Sequence, residues 1–273
     1  MSTTAVGGRE RLAEIIPEAL AALHEVLERH RVTEDEWHAV LRFLGDVGRQ
    51  DEFILLSDVT RTSVLVDAMS HAGDEGATAS DVEGPLYRED PPWREAPVRI
   101  YEDYEGMGDA EVLFVRGSVT SADGTPLPDA VLDIWQTGPS GGYDIWDERQ
   151  PDFNFRGRFG VAASGAYEFQ TMVPKPYTVP TEGPVGRYLD AVGQHPWRPA
   201  HIHFKVGAQG HQDLVTQVFF PDDPYLENDT IGAVKAALVR PLEKHDGAER
   251  GLDAPFFTCD FEIRLRPLAD GRG

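Results

Sequence analysis

The residues best placed to do chemistry lie in Trp197-Arg198-Pro199-Ala200-His201-Ile202-His203-Phe204. The stretch reads as a short strand entered through a proline. Side chains alternate faces along a strand, so His201 and His203 share one side while Ile202 and Phe204 share the other. Two imidazoles close together on a rigid strand make half a metal site. A bare His-x-His is equally well a pair of strand histidines on a wet face, so further ligands are needed. Candidates stand in two Gly/Pro-rich loops: Tyr143 follows Gly141-Gly142, and Tyr177 follows Pro174-Lys175-Pro176. A free phenol titrates near about 10 and is a poor ligand at neutral pH. A strongly Lewis-acidic cation can displace its proton. Phenolate oxygen together with imidazole on one ion favours Fe(III) over Zn(II) or Cu(I). Taken singly, each tyrosine is more often an anchoring side chain than a ligand.

The elements that must hold these groups fall into two kinds. Leu12, Ile15, Ile16, Ala19, Leu20, Leu23, Val26 and Leu27 recur at helical spacing, with Pro17 either starting or kinking that helix. Thr33 and Glu36 form a capping box before a second helix carrying Trp37, Val40, Leu41 and Leu44. A third helix is predicted from Phe53 through Met69, ending by Gly73. After a Gly/Pro-rich stretch over residues 73–100, strands are predicted at Val112–Val119, Ala130–Gln136, Tyr167–Met172, His201–Val206, Leu214–Phe220 and Phe256–Leu265, with one late helix over Asp229–Val239. The expected fold is mainly β: an antiparallel β-sandwich over residues 96–273, preceded by an all-helical domain and linker over residues 1–95. The long loops Gly138–Phe159 and Val173–Pro199 are where function is expected on such a scaffold.

Composition narrows the partners. The chain has 273 residues, 41% hydrophobic and 10% aromatic, enough for a sizeable core. A net charge of −22 argues against nucleic acid and anionic membranes. No apolar run reaches the roughly 18 residues a membrane span needs. The first ten residues lack the apolar core of a secretory signal. Cys259 is the single cysteine, which excludes a disulfide framework, fits a reducing cytoplasm and reads as an apolar filler among Phe256, Phe257 and Phe261.

In order along the chain, Leu55-Leu56-Ser57-Asp58, Leu65-Val66-Asp67, Glu83-Gly84-Pro85-Leu86-Tyr87, Leu132-Asp133-Ile134-Trp135-Gln136, Gly142-Tyr143-Asp144 and Asn154-Phe155-Arg156-Gly157-Arg158-Phe159 make up the first half of a pattern. Tyr177-Thr178-Val179-Pro180, Gly183-Pro184-Val185-Gly186, His195 through Phe204, Thr216-Gln217 and Asp223-Pro224-Tyr225-Leu226 complete it. No piece is decisive alone, but their order and spacing resemble the intradiol ring-cleaving catechol dioxygenases, and among them most closely the hydroxyquinol 1,2-dioxygenases. The resemblance runs over nearly the whole chain from Val32. It implies a non-haem Fe(III) held by Tyr143, Tyr177, His201 and His203. It places the substrate-facing arginine at Arg198 and the glutamine near the metal at Gln217. It implies that a catecholic substrate gives up both hydroxyl protons and chelates the iron, with Tyr177 displaced and taking one proton and a metal-bound hydroxide taking the other. O2 then cleaves the ring between the two hydroxyl-bearing carbons to a muconate-type diacid, or to maleylacetate from hydroxyquinol.

The resemblance also implies a ring-binding wall of Val64, Asp67, Val82, Gly84, Leu86, Val179, Pro180 and Ile231. Asp67 could accept a hydrogen bond from an extra ring hydroxyl, or be a helix-surface carboxylate. The chain departs from the pattern at Val59-Thr60-Arg61, where relatives carry a Leu-Gly pair after Leu-Ser-Asp. Leu86 stands for a common Phe and Val64 for a common Leu. These changes leave open a preference for hydroxyquinol, catechol, or a chloro- or alkyl-catechol. The family forms homodimers through its N-terminal helices around a tunnel that can hold a lipid, and the apolar stripe from Leu12 to Leu27 fits that use. A cupin-type metal oxygenase also uses His-x-His, but it needs a Glu a few residues on, and Phe204-Lys205-Val206-Gly207-Ala208 offers none. A non-catalytic β-sandwich binding module would leave the His/Tyr set without purpose.

Overall fold

Thr33 caps its helix as its sequence requires: its hydroxyl accepts from the Glu36 amide at 3.3 Å, and the Glu36 carboxylate accepts from the Thr33 amide at 2.7 Å. In the computed structural model, which describes residues 9–73 and 76–268, this helix is α2 (Glu34–Arg49), following α1 (Arg9–His30). Pro17 lies inside α1, which runs through it. The apolar stripe of α1 stays open, with Ile15, Ile16 and Leu20 about half exposed.

Among the described residues, those up to Asp51 form one compact unit and those from Glu52 another. The third predicted helix is two, α3 (Phe53–Val59) and α4 (Thr62–Ser70). Arg61 at φ 59° turns the chain between them, a left-handed conformation that costs a residue with a Cβ about 1–2 kcal/mol. Helix α3 belongs with the second unit because α5 (Pro184–Val192) is tied to it: the Val185 amide donates to the Glu52 carboxylate at 2.9 Å, and Gln194, just past α5, donates to the Val59 carbonyl at 3.3 Å.

The strands are β1 (Val98–Arg99), β2 (Val112–Ser121), β3 (Val131–Gln136), β4 (Arg156–Gly160), β5 (Ala166–Met172), β6 (Tyr177–Thr178), β7 (Trp197–Arg198), β8 (His201–Gly207), β9 (Leu214–Phe219), β10 (Glu243–His245), β11 (Phe256–Asp260) and β12 (Ile263–Leu265). One sheet has the order β4-β3-β8-β9 and is antiparallel throughout. A second has the order β1-β5-β2-β11-β10, with β12 also on β2, and is mixed, and β6 and β7 form a separate two-stranded sheet. Strands β11 and β12 run parallel to β2, and β1 runs parallel to β5. The all-antiparallel expectation fails here because alternation has a period of two in either direction and carries no sign of pairing sense. The predicted strand Phe256–Leu265 divides around Phe261-Glu262. There the Phe261 amide donates to the Arg116 carbonyl, and the Phe261 carbonyl accepts from the Tyr167 hydroxyl at 2.5 Å. Gly117 permits that crossing, since a Cβ there would sit 2.0 Å from the Phe261 oxygen.

Side chains of the two larger sheets meet in the core. The Phe204 ring of β8 lies 6.1 Å from Phe169 of β5 and 5.0 Å from Phe261. Cys259 is fully buried in β11, and burial pushes its thiol up to about 12, as an inert filler requires. The late helix over Asp229–Val239 does not form; only Ala236–Leu238 make a 3-10 turn. Gly232 sits at φ +68°, and the Asp229 carboxylate takes the Ala233 amide at 3.0 Å, so a side chain rather than a helical carbonyl satisfies that donor. Among the described residues no helix is long and apolar enough to cross a membrane.

Candidate metal centre and cavity

Strand β8 puts His201 and His203 on one face, as its alternation demands, and both are 2% exposed. Their Nε2 atoms lie 3.0 Å apart, so the two rings converge on one point. His201 is oriented through Nδ1, which lies 2.8 Å from the Pro199 carbonyl and so donates to it; Nε2 is left as the acceptor. His203 has no such partner, and its Nδ1 is buried without one. Its ring is instead stacked on Trp135 of β3, its cross-strand neighbour, at 4.5 Å and 6°. Burial, then Arg198, holds His201 well below the ordinary imidazole range; burial, then His201, does the same for His203. Both influences favour the neutral imidazole, the form that can bind a cation.

The two loops deliver the tyrosines. Tyr143 and Tyr177 pack edge to face with ring centroids 5.4 Å apart, and Tyr177 lies 5.6 Å from His201. Tyr177 is on β6, whose partner β7 carries Arg198 directly opposite it. Leu86, Trp135, Tyr143 and Tyr177 form one buried cluster. The Tyr143 hydroxyl is buried with no hydrogen-bond partner. Burial and the neighbouring Tyr177 push its phenol well above the ordinary range. An orphaned buried hydroxyl costs about 1–3 kcal/mol. A cation at the convergence of the histidines would offset that cost by taking the oxygen as a ligand. Among the described residues no three His, Cys, Asp or Glu side chains group as metal ligands; His201, His203, Tyr143 and Tyr177 offer a mixed phenol–imidazole set. Hard oxygen plus imidazole suits a ferric ion.

Arg198 is 3% exposed and its Nη1 lies 3.1 Å from His201 Nε2. Nε donates to Asp229 at 3.2 Å and Nη2 to the Gln217 amide oxygen at 3.1 Å. Gln217, opposite His203 on β9, donates in turn to the Val82 carbonyl at 2.9 Å. Burial opposes the arginine's charge, but Asp229 and Tyr177 outweigh it, so a fixed cation faces the histidines.

A cavity opens in front of this group. Tyr177, Arg198 and His203 line it together with Gly84, Leu86, Val179, Pro180 and Ile231, all anticipated from the sequence. Val64, Asp67 and Val82 are not on that wall. Val64 is half-buried on α4, and Asp67 and Val82 line an adjoining depression that shares Asp58, Glu83 and Gly84 with the cavity. The Asp67 carboxylate is already committed to Lys235 at 2.7 Å, Ser80 at 3.0 Å and His71 at 3.1 Å. These partners make it more than a plain surface group. Leu55, Asp58, Glu83 and Pro85 complete the cavity wall and were missed. Asp58 follows Leu55 by three residues and so shares its helical face, a signal the sequence did contain. Burial raises its carboxyl, against the pull of Ser63 and Arg198.

Comparison with known proteins fits this geometry. Residues 82–267 match the dioxygenase family model, and residues 9–78 match that of the catechol dioxygenase N terminus. The chain is 39% identical over 252 residues to a hydroxyquinol 1,2-dioxygenase of Rhizobium sp. strain MTP-10005, covering 90% of this chain and 84% of that protein. It is 33% identical to a chlorocatechol 1,2-dioxygenase of Cupriavidus pinatubonensis, covering 85% of this chain and 89% of the other. The crystal structure of hydroxyquinol 1,2-dioxygenase from Pseudomonas putida DLL-E4 superposes with a TM-score of 0.85 at 36% identity, over 96% of this chain and 94% of that one. A buried two-histidine, two-tyrosine cluster, carried on a chain that matches these proteins almost from end to end, makes this protein a member of the intradiol catechol dioxygenase family.

Proposed function

We propose that this enzyme cleaves hydroxyquinol (1,2,4-trihydroxybenzene) between its two adjacent hydroxyl-bearing carbons. Both atoms of O2 enter the product, 3-hydroxy-cis,cis-muconate, the enol form of maleylacetate. The observation that carries the reading is the convergence of His201, His203, Tyr143 and Tyr177 beside a buried Arg198 at the end of a largely apolar cavity. The hydroxyquinol dioxygenases among its relatives support the substrate. Tyr143, Tyr177, His201 and His203 would hold a non-haem Fe(III). When bound, that ion supplies the Lewis acidity that lets both substrate hydroxyls ionise and the redox partner that admits O2.

The chain's own groups do the rest. Tyr177 Oη accepts one substrate proton. The Arg198 guanidinium, held by Asp229 and Gln217, stabilises the negative charge that develops on the ring. Leu86, Val179, Pro180 and Ile231 hold the ring's apolar faces and exclude water. The second reading, a catechol or a chloro- or alkyl-catechol giving the corresponding muconate, is favoured by that apolar wall and by the chlorocatechol relative. Oxygen uptake on the iron-loaded protein, with product spectra, decides between them. Hydroxyquinol is expected to give the highest kcat/KM. A higher value for catechol or chlorocatechol removes the substrate assignment, and no uptake with any diol removes ring cleavage.

We also read the two larger sheets as layers of a β-sandwich and the helices within residues 1–95 as a dimerisation module, possessing an interface tunnel able to hold a lipid, in a cytoplasmic protein. The open stripe of Leu12, Ile15, Ile16, Leu20, Leu23 and Val26 supports this, since water-exposed apolar rows of that length mark interaction surfaces. Analytical ultracentrifugation at micromolar concentration is expected to return a dimer; a monomer there would rule it out.

A further inference from the structure

We propose that the buried ion pair Arg156–Asp144 contributes, alongside Arg198, to the electrostatic field at Tyr143, with Arg156 a positioning residue for that side chain; this rests on the reading of Tyr143 as an iron-bound phenolate. Arg156 is 1% exposed and the Asp144 side chain is fully buried. Arg156 Nε donates to Asp144 at 2.7 Å, and Nη1 donates to the Leu86 carbonyl at 2.8 Å, on the cavity wall. Its guanidinium carbon lies 5.5 Å from the Tyr143 ring centroid, and Nη2 is buried without a partner. Arg156 sits opposite Trp135 in the β3–β4 ladder, and Trp135 carries His203. Asp144 follows Tyr143 in sequence, also accepts from Arg88, and takes the Phe153 amide at 3.2 Å. One pair thus touches the Tyr143 loop, the cavity wall and the strand behind His203.

Stability alone does not explain it. A buried ion pair is commonly no better than apolar residues of equal volume. In a dry interior, however, a cation against a phenolate ring acts strongly on the electrons of that ring. A cation lowers the energy of the phenolate donor orbital, and an anion raises it. The colour of a tyrosinate–Fe(III) protein is a transfer of charge from that orbital to the metal. The two partners therefore act on the band with opposite signs.

The test uses the full-length, iron-loaded protein and its Arg156→Gln and Asp144→Asn variants, with folding checked by circular dichroism. Loss of the cation is expected to move the visible band to longer wavelength, and loss of the anion to shorter wavelength. Turnover or iron affinity should fall about 10- to 100-fold, as for other residues that orient metal ligands. Bands that stay in place, or that both move the same way, overturn the proposal, because general loosening has no sign. If Arg156→Gln does not fold, Arg156→Lys, which keeps the charge, is expected to leave the band near its wild-type position while Asp144→Asn still shifts it; an unmoved Asp144→Asn band is then the overturning result. A wild-type protein with no visible band removes the iron reading itself, whereas coloured protein with unmoved variants removes only the role of the pair.

Discussion

His201→Ala is expected to lower oxygen uptake more than about a thousandfold, because a metal's contribution to transition-state charge is several kcal/mol and each 1.36 kcal/mol is tenfold. His201 is the one proposed ligand whose second nitrogen is fixed, through the Pro199 carbonyl. Iron content and the visible band should fall with activity. Tyr177→Phe is expected to lose turnover to a similar degree, since the phenyl ring can neither bind a cation nor accept a substrate proton, yet it should keep colour through Tyr143. Oxygen electrode traces and metal analysis on the purified variants check both. Full activity in either variant would overturn the ligand assignment.

Arg198→Met is expected to cost about 10²–10³ in kcat with little change in KM, the pattern of a group that acts on charge developing in the transition state. The same change leaves Asp229 without its cation, and breaking a buried pair typically costs about 3–5 kcal/mol. The loss should fall toward the lower end, because Asp229 also accepts from the Ile231 amide at 3.4 Å and the Ala233 amide at 3.0 Å. Steady-state kinetics together with a urea melt separate the two effects. A variant that is destabilised but keeps its kcat would make Arg198 a structural ion-pair partner only.

How much of this was legible beforehand differs by residue. The histidine pair could be read from alternation, because a strand fixes the side of every second residue whatever the tertiary arrangement. The capping box at Thr33 and Glu36 and the filler role of Cys259 were equally local. Two loops could be marked as functional from their glycines, prolines and aromatics, and the family pattern named Tyr143 and Tyr177 within them. Asp67 shows the limit of that pattern. Its place in the chain suggested an acceptor for a ring hydroxyl or a surface carboxylate; the fold brings Lys235 and Ser80 to its carboxylate, beside His71 one helical turn on. Asp58, not singled out, lines the cavity beside Arg198.

The sequence by itself determined which side chains could bind a cation, which strand and loops carry them, and that helices precede strands, since each depends on residue type, short-range spacing or period. Tertiary structure alone decided that β11 and β12 run parallel to β2, that Asp229 folds its own loop in place of a helix while pairing with Arg198, and that Arg156 and Asp144 are buried together behind Tyr143. Those outcomes turn on which distant groups meet, and on whether a buried charge or amide finds a partner, and no local period encodes either.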